Sequence, residues 1–161
     1  MSQTGDTAGV IAPPPLIALA AVLIGFALDW QSPAFLLEVV PFALRVAIGV
    51  ALIATGAALA IAGRNIFVRS GINVNPYQPA LALVTTGVFA YVRNPMYTGL
   101  GLMAGGIGIA FAADWVVVMV VPQMLLIHFG VVRREERYLT AKFGEAYRNY
   151  LAAVPRYGVP L

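Results

Sequence analysis

Long uncharged runs divide the chain. Residues 7–28 carry no charged side chain, between Asp6 and Asp29; 46–63 carry none, between Arg45 and Arg64; 94–113 carry none, between Arg93 and Asp114; 115–132 carry none, between Asp114 and Arg133. A helix that crosses a bilayer needs about 20 mostly apolar residues. The runs therefore predict four spans, over 14–28, 43–63, 95–112 and 115–132. A fifth uncharged gap, 70–92, holds Asn73, Asn75, Pro76, Gln78 and Pro79. Its prolines and polar groups would leave backbone unsatisfied in hydrocarbon, so it predicts an interfacial loop with short helical pieces. Pro13, Pro14 and Pro15 suit the start of the first helix. No basic residue precedes them, unlike a cleaved secretion signal.

Beyond residue 132 the pattern changes. Leu139, Phe143, Ala146, Tyr147, Tyr150 and Val154 recur near the helical repeat, with Arg137, Lys142, Glu145 and Arg148 elsewhere. This predicts an amphipathic helix, weakened or bent at Gly144 and stopped by Pro155, that either lies on the membrane surface or covers the ends of the spans. The expected fold class is thus all-α: one multi-pass membrane domain over 1–161, with about four transmembrane helices, an interfacial loop and a C-terminal amphipathic helix.

Composition supports the pattern. Of 161 residues, 60% are hydrophobic and 11% charged, against roughly a quarter charged in soluble domains. So short a chain has too little interior to hide that much apolar surface from water. Nine of the ten basic residues fall on one side of the predicted spans: Arg64, Arg69 and Arg93 between the second and third, and Arg133, Arg134, Arg137, Lys142, Arg148 and Arg156 after the fourth. The excess of basic residues in cytoplasmic loops places the 64–95 loop, the 133–161 tail and both termini in the cytoplasm. The basicity, a sequence pI of about 9.5, is read as membrane-directed, with lipids and no nucleic acid as partners. The absence of cysteine excludes disulfides and thiolate sites, and a single histidine cannot build a polyhistidine metal centre, so no metal is expected. Gly101 with Gly105, and Gly56 with Ala60, have the four-residue spacing that lets helices approach closely in lipid. That serves one bundle or a pair of chains equally, and leaves the oligomeric state open.

Three polar groups interrupt the apolar chain. Arg93-Asn94-Pro95 predicts the start of the third span, with Asn94 as N-cap and Pro95 in the first turn. Free N–H groups and the positive end of the helix dipole would face the basic interface there, a place suited to a carboxylate. His128 lies five residues, roughly 7 Å, inside the end of the fourth uncharged run. A lone histidine is more often a hydrogen-bonded packing residue than a catalyst, but it is the candidate base. Arg133-Arg134-Glu135-Glu136-Arg137 follows, usually a solvated ion-pair face. If the fourth helix continues unbroken, His128 and Glu135, seven residues apart, share a side.

In order and spacing, Leu83-Val84-Thr85-Thr86-Gly87-Val88-Phe89, then Arg93-Asn94-Pro95-Met96-Tyr97-Thr98-Gly99, then Glu135-Glu136, Phe143-Gly144-Glu145-Ala146-Tyr147 and Val154-Pro155-Arg156 resemble the isoprenylcysteine carboxyl methyltransferases, which group with the membrane phospholipid methyltransferases. The likeness covers roughly residues 64–157. It implies an enzyme that uses S-adenosylmethionine near the cytoplasmic face. Leu83, Val84, Phe89, Arg93, Asn94, Pro95, Met96, Tyr97 and Glu135 would bind the cofactor, with Glu136 in support. Arg133, Arg134 and His128 would meet the substrate, a lipophilic small molecule or lipidated molecule. Many members carry histidine where this chain has Asn94, and asparagine occurs in bacterial-looking relatives, which implies a bacterial inner membrane. Asn94 cannot take up a proton, and Phe89 stands where a tyrosine is common. The alternatives are an amine N-methyltransferase acting on phospholipid, a nicotinamide-dependent membrane reductase of similar C-terminal architecture, and a non-enzymatic scaffold.

Overall fold

The computed structural model describes residues 7–71 and 77–158, so Asn73, Asn75 and Pro76 of the fifth gap lie outside it. The described residues form an all-helical, multi-pass membrane architecture: α1 Pro14–Gln31, α2 Phe42–Arg69, α3 Pro95–Phe111, α4 Asp114–Ile127, a π-helical turn His128–Val132, α5 Arg133–Phe143 and α6 Glu145–Ala153, with 3-10 turns at Leu37–Val39 and Gly87–Ala90. Three continuous helices, Pro14–Gln31, Phe42–Arg69 and Asp114–Phe143, are long and apolar enough to cross a bilayer, and α3 is a shorter apolar helix of 17 residues. At 1.5 Å per residue α3 is about 25 Å long, at the lower limit of a span. Leu16, Leu19 and Leu23 of α1 and Leu44, Ile48 and Ile61 of α2 are exposed, as side chains bathed in lipid should be. The helix itself runs past the second predicted span, through Arg64 to Arg69, because a charged side chain on an exposed face at a helix end reaches water without stopping the helix.

The helices lie side by side in the order α2, α3, α4, α1. Since α1 and α2 are not neighbours, their connection crosses the α3–α4 turn. Asp114 pins it there, its carboxylate accepting from the N–H groups of Leu36 (2.9 Å) and Leu37 (3.0 Å). Trp115 donates its backbone N–H to Asp29 (3.3 Å) and its indole N–H to the Ser32 carbonyl (2.7 Å). These bonds lock the end of the bundle opposite the basic one.

Glycine sets how close the helices come, but on two faces rather than the one its four-residue spacing suggests. Gly101 meets Met124 of α4, and Gly105 stands loosely beside Val120. α2 also crosses α3 tightly, where Gly49, Gly56 and Gly63 repeat every seven residues and face α3. A methyl group on Gly99 would collide with the Gly56 carbonyl oxygen and lie 3.3 Å from Ala60 Cβ. Gly99→Ala is therefore expected to destabilise the protein by about 1–3 kcal/mol, the usual cost of overpacking. Gly105→Ala, whose new methyl would have Val120 Cγ2 at 3.8 Å, should be nearly silent. Thermal unfolding of both variants in detergent checks this; equal melting points for the two would contradict the packing.

The amphipathic tail is two helices. Gly144 adopts φ +57°, ψ −125°, a conformation open to glycine and strained for other residues, and the chain turns there instead of bending smoothly. Of the two roles open to the apolar stripe, covering the bundle end is the one observed. Tyr147, Tyr150 and Val154 are buried against Leu83, Leu139, Phe143 and Leu151. Tyr150 donates its hydroxyl proton to the Phe89 carbonyl (2.7 Å), and burial pushes this phenol up to about 12, so it stays a donor at physiological pH.

Candidate functional site

At the basic end, segments distant in sequence enclose one cavity. Pro95 opens α3 and is among the most deeply buried side chains. Asn94 precedes it, as predicted, but its side chain makes no capping bond to the helix. The amide Nδ2 donates instead to the Arg156 carbonyl (3.2 Å), which also accepts from Asn94 N–H (3.2 Å), while Arg93 N–H donates to Pro155 O (3.0 Å). The tail laid along residues 93–94 holds Asn94 by its side-chain amide N–H and its backbone N–H at one acceptor.

Glu135 and Glu136, adjacent on α5, have different partners. Tyr97 on the first turn of α3 donates its hydroxyl to Glu135 Oε1 (2.8 Å). Glu136 takes Arg93 NH1 (2.9 Å) and Arg156 Nε (2.8 Å) on Oε1, and Arg156 NH2 (2.8 Å) on Oε2. One carboxylate thus joins α3's entry, α5 and the tail, and the hydrogen bonding of Arg156 to Glu136 contributes most to holding that guanidinium's pKa above its ordinary value.

All ten sequence positions singled out for the cofactor line this cavity: Leu83 and Val84 from the loop, Phe89 from the 3-10 turn, Arg93 to Tyr97 from the entry of α3, and Glu135 with Glu136 from α5. Phe89 is buried and edge-on to Phe67, ring centres 5.1 Å apart. Nine further residues complete the wall, among them Phe67, Tyr147, Tyr150 and Ala8, none of which the sequence marked as a site residue. Phe67 belongs to the part of α2 beyond the predicted span. Tyr147 and Tyr150 were visible only as an apolar stripe. Ala8 comes from the segment before α1, which is tied to the helix junction by Ile11 N–H to Gly130 O (3.2 Å) and Arg134 NH1 to Gly9 O (2.8 Å); nothing in its residue type announced this.

The three residues assigned to substrate do not join the cavity. The π turn of 128–132 adds a residue to one helical turn and rotates everything after it, so His128 shares a side with Glu136, not with Glu135. His128 Nδ1 meets the Tyr157 hydroxyl at 3.0 Å, and His128 and Arg133 line a second recess. Arg134 turns to the Gly9 carbonyl. Among the described residues no group of histidine, aspartate or glutamate could hold a metal ion.

Fold and site together define a helical integral membrane protein with a cavity lined by the α3 entry, α5 and α6 at the basic end of the bundle. The family model described as "Phospholipid methyltransferase" matches residues 44–146, and the chain belongs to that family. It is also similar to a protein named Protein-S-isoprenylcysteine O-methyltransferase from Schizosaccharomyces pombe (strain 972 / ATCC 24843), 36% identical over 80 residues, which is 49% of this chain and 33% of that protein. The chain thus spans about a third of the length of the curated relative it matches. No solved structure matches.

Proposed function

We propose that the protein transfers a methyl group from S-adenosylmethionine to a lipophilic acceptor at the cytoplasmic face of the membrane. The observation that supports this most is the convergence of residues 83–97 and 135–136 on one cavity. Its chemistry suits that cofactor. Phe89, Leu83, Val84 and Met96 offer an apolar, partly aromatic wall for a purine. Glu135 offers a carboxylate for an ammonium. The first turn of α3, whose N–H groups have no preceding helical carbonyls, faces a carboxylate favourably.

Bound S-adenosylmethionine supplies a methyl already activated on a sulfonium. The protein's part is then to position and to shape the field. Glu135, held at one oxygen by Tyr97, keeps the other for a cation. Tyr150 holds Phe89 in the wall through its carbonyl. Glu136 fixes Arg93 and the tail so that the cavity keeps its shape. A lipophilic acceptor enters from the bilayer and a charged cofactor from the aqueous side, and the cavity stands at their boundary.

The acceptor we favour bears a carboxylate, as an isoprenylcysteine does. Such a group has a reference pKa near 3.5 and needs no base at neutral pH, whereas an amine must first lose a proton. His128, the one candidate base by residue type, lies outside the cavity. A phospholipid amine would have to call on Glu135.

Calorimetric titration of detergent-purified protein separates the readings. S-Adenosylmethionine should bind and NADPH should not. Selective NADPH binding would replace this assignment with a reductase, and binding of neither by well-folded protein would leave a scaffold. With a labelled methyl donor, an isoprenylcysteine should then be methylated in preference to phosphatidylethanolamine.

A further inference from the structure

The second recess lies on the other side of Glu136. Its cations come from different parts of the chain: Arg133 and Arg137 on α5, Arg148 on α6, and Arg156 beyond α6, with His128 at the mouth of the π turn. Glu136 is its single acid, and that carboxylate is already bound by Arg93 and Arg156. Among the described residues, no carboxylate forms an ion pair with Arg133, Arg137 or Arg148. Two of these three are nonetheless held in place. Arg137 Nε donates to the Arg133 carbonyl (3.3 Å), and the Arg133 guanidinium lies 5.9 Å from the centre of the Phe129 ring. A concave site with a standing excess of forked cations is matched by a phosphate, whose oxygens accept guanidinium bonds in pairs.

What lies beside the recess points to the source of that phosphate. Leu125, Leu126 and Phe129, on the turns flanking His128, are all more than half exposed, so an apolar outer surface of α4 leads directly to the cationic mouth. A lipid with its headgroup in the recess would lay its acyl chains along that surface; a free anion would make no use of it. We propose that this recess binds the phosphate of an anionic membrane lipid, retained beside the cofactor cavity and not itself methylated. The inference needs only the membrane setting of the helices and does not depend on the methyl-transfer reading.

Native mass spectrometry of the detergent-solubilised chain with short-chain phosphatidylglycerol, phosphatidylcholine and inorganic phosphate tests it. Phosphatidylglycerol should be retained most tightly. R137Q/R148Q should weaken its retention about twenty-five-fold, taking each surface cation as worth roughly fivefold. R64Q/R69Q, which removes the same charge from exposed positions elsewhere on the basic face, should weaken it far less, and both variants should melt near the wild-type temperature. Equal retention of phosphatidylcholine, inorganic phosphate binding as tight as the lipid's, or equal losses in the two double variants would each overturn the proposal.

Discussion

Glu136→Ala is expected to destabilise the protein by about 3 kcal/mol. Breaking a buried ion pair by removing one partner costs about 3–5 kcal/mol, because the remaining charge stays desolvated. Here the side chain of Arg93 is only 10% exposed and that of Arg156 28%. Arg156 can swing into water and recover part of its hydration; Arg93 cannot, which puts the cost near the lower end of that range. The loss would also loosen the tail that is bonded to Arg93 and Asn94. Thermal unfolding in detergent measures it, and the cycle with Arg93→Met supplies the control. With the stranded guanidinium gone, Glu136→Ala should cost much less than in the wild type. A melting point within a degree of the wild type for the single variant would show that the bridge contributes nothing.

The neighbouring glutamate should behave oppositely. Glu135→Gln keeps the shape and an oxygen that can still accept from Tyr97, so stability should change by less than about 1 kcal/mol. What disappears is the negative charge in the proposed cofactor cavity. A hydrogen bond to a charged group contributes about 1.5–3 kcal/mol, so affinity for S-adenosylmethionine should fall by about ten- to a hundredfold. Calorimetry on the variant checks it, with Tyr97→Phe as companion: losing the phenol should weaken binding less, because the carboxylate remains. Unchanged affinity in Glu135→Gln would remove Glu135 from the cofactor's surroundings, whatever the fate of Glu136. Adjacent residues of the same type are thus expected to separate into a binding role and a structural one.

That separation marks how far the chain could be read before folding. The four hydrophobic stretches and the start of α3 at Pro95 were legible, because lipid imposes a length and a ban on charge that any single sequence displays. The set of residues around the cavity was legible only through the resemblance of short motifs. The roles within it were not: Glu135 and Glu136 look alike until Tyr97, Arg93 and Arg156 are placed. Asn94 looks like a helix cap until the tail takes its side chain. Of the two small-residue pairs, Gly56 with Ala60 does receive Gly99 at the α2–α3 crossing, whereas Gly105 stands loosely beside Val120, since which face of a helix meets a neighbour depends on the order of helices in the bundle.

By itself the sequence determined that this is a membrane-embedded helical chain, with its basic residues on one side and its polar motifs near that side. Hydrophobicity and charge are local properties, and the bilayer reads them segment by segment. The tertiary structure decided what depends on rotation and register. One π turn moves His128 away from Glu135 and toward a separate cationic recess, and one glycine at positive φ folds the tail back so that Tyr147 and Tyr150 close the cavity. A rotation of one residue is about 100° on a helix, enough to send a side chain to a different site, and no count of residue types along the chain carries that angle.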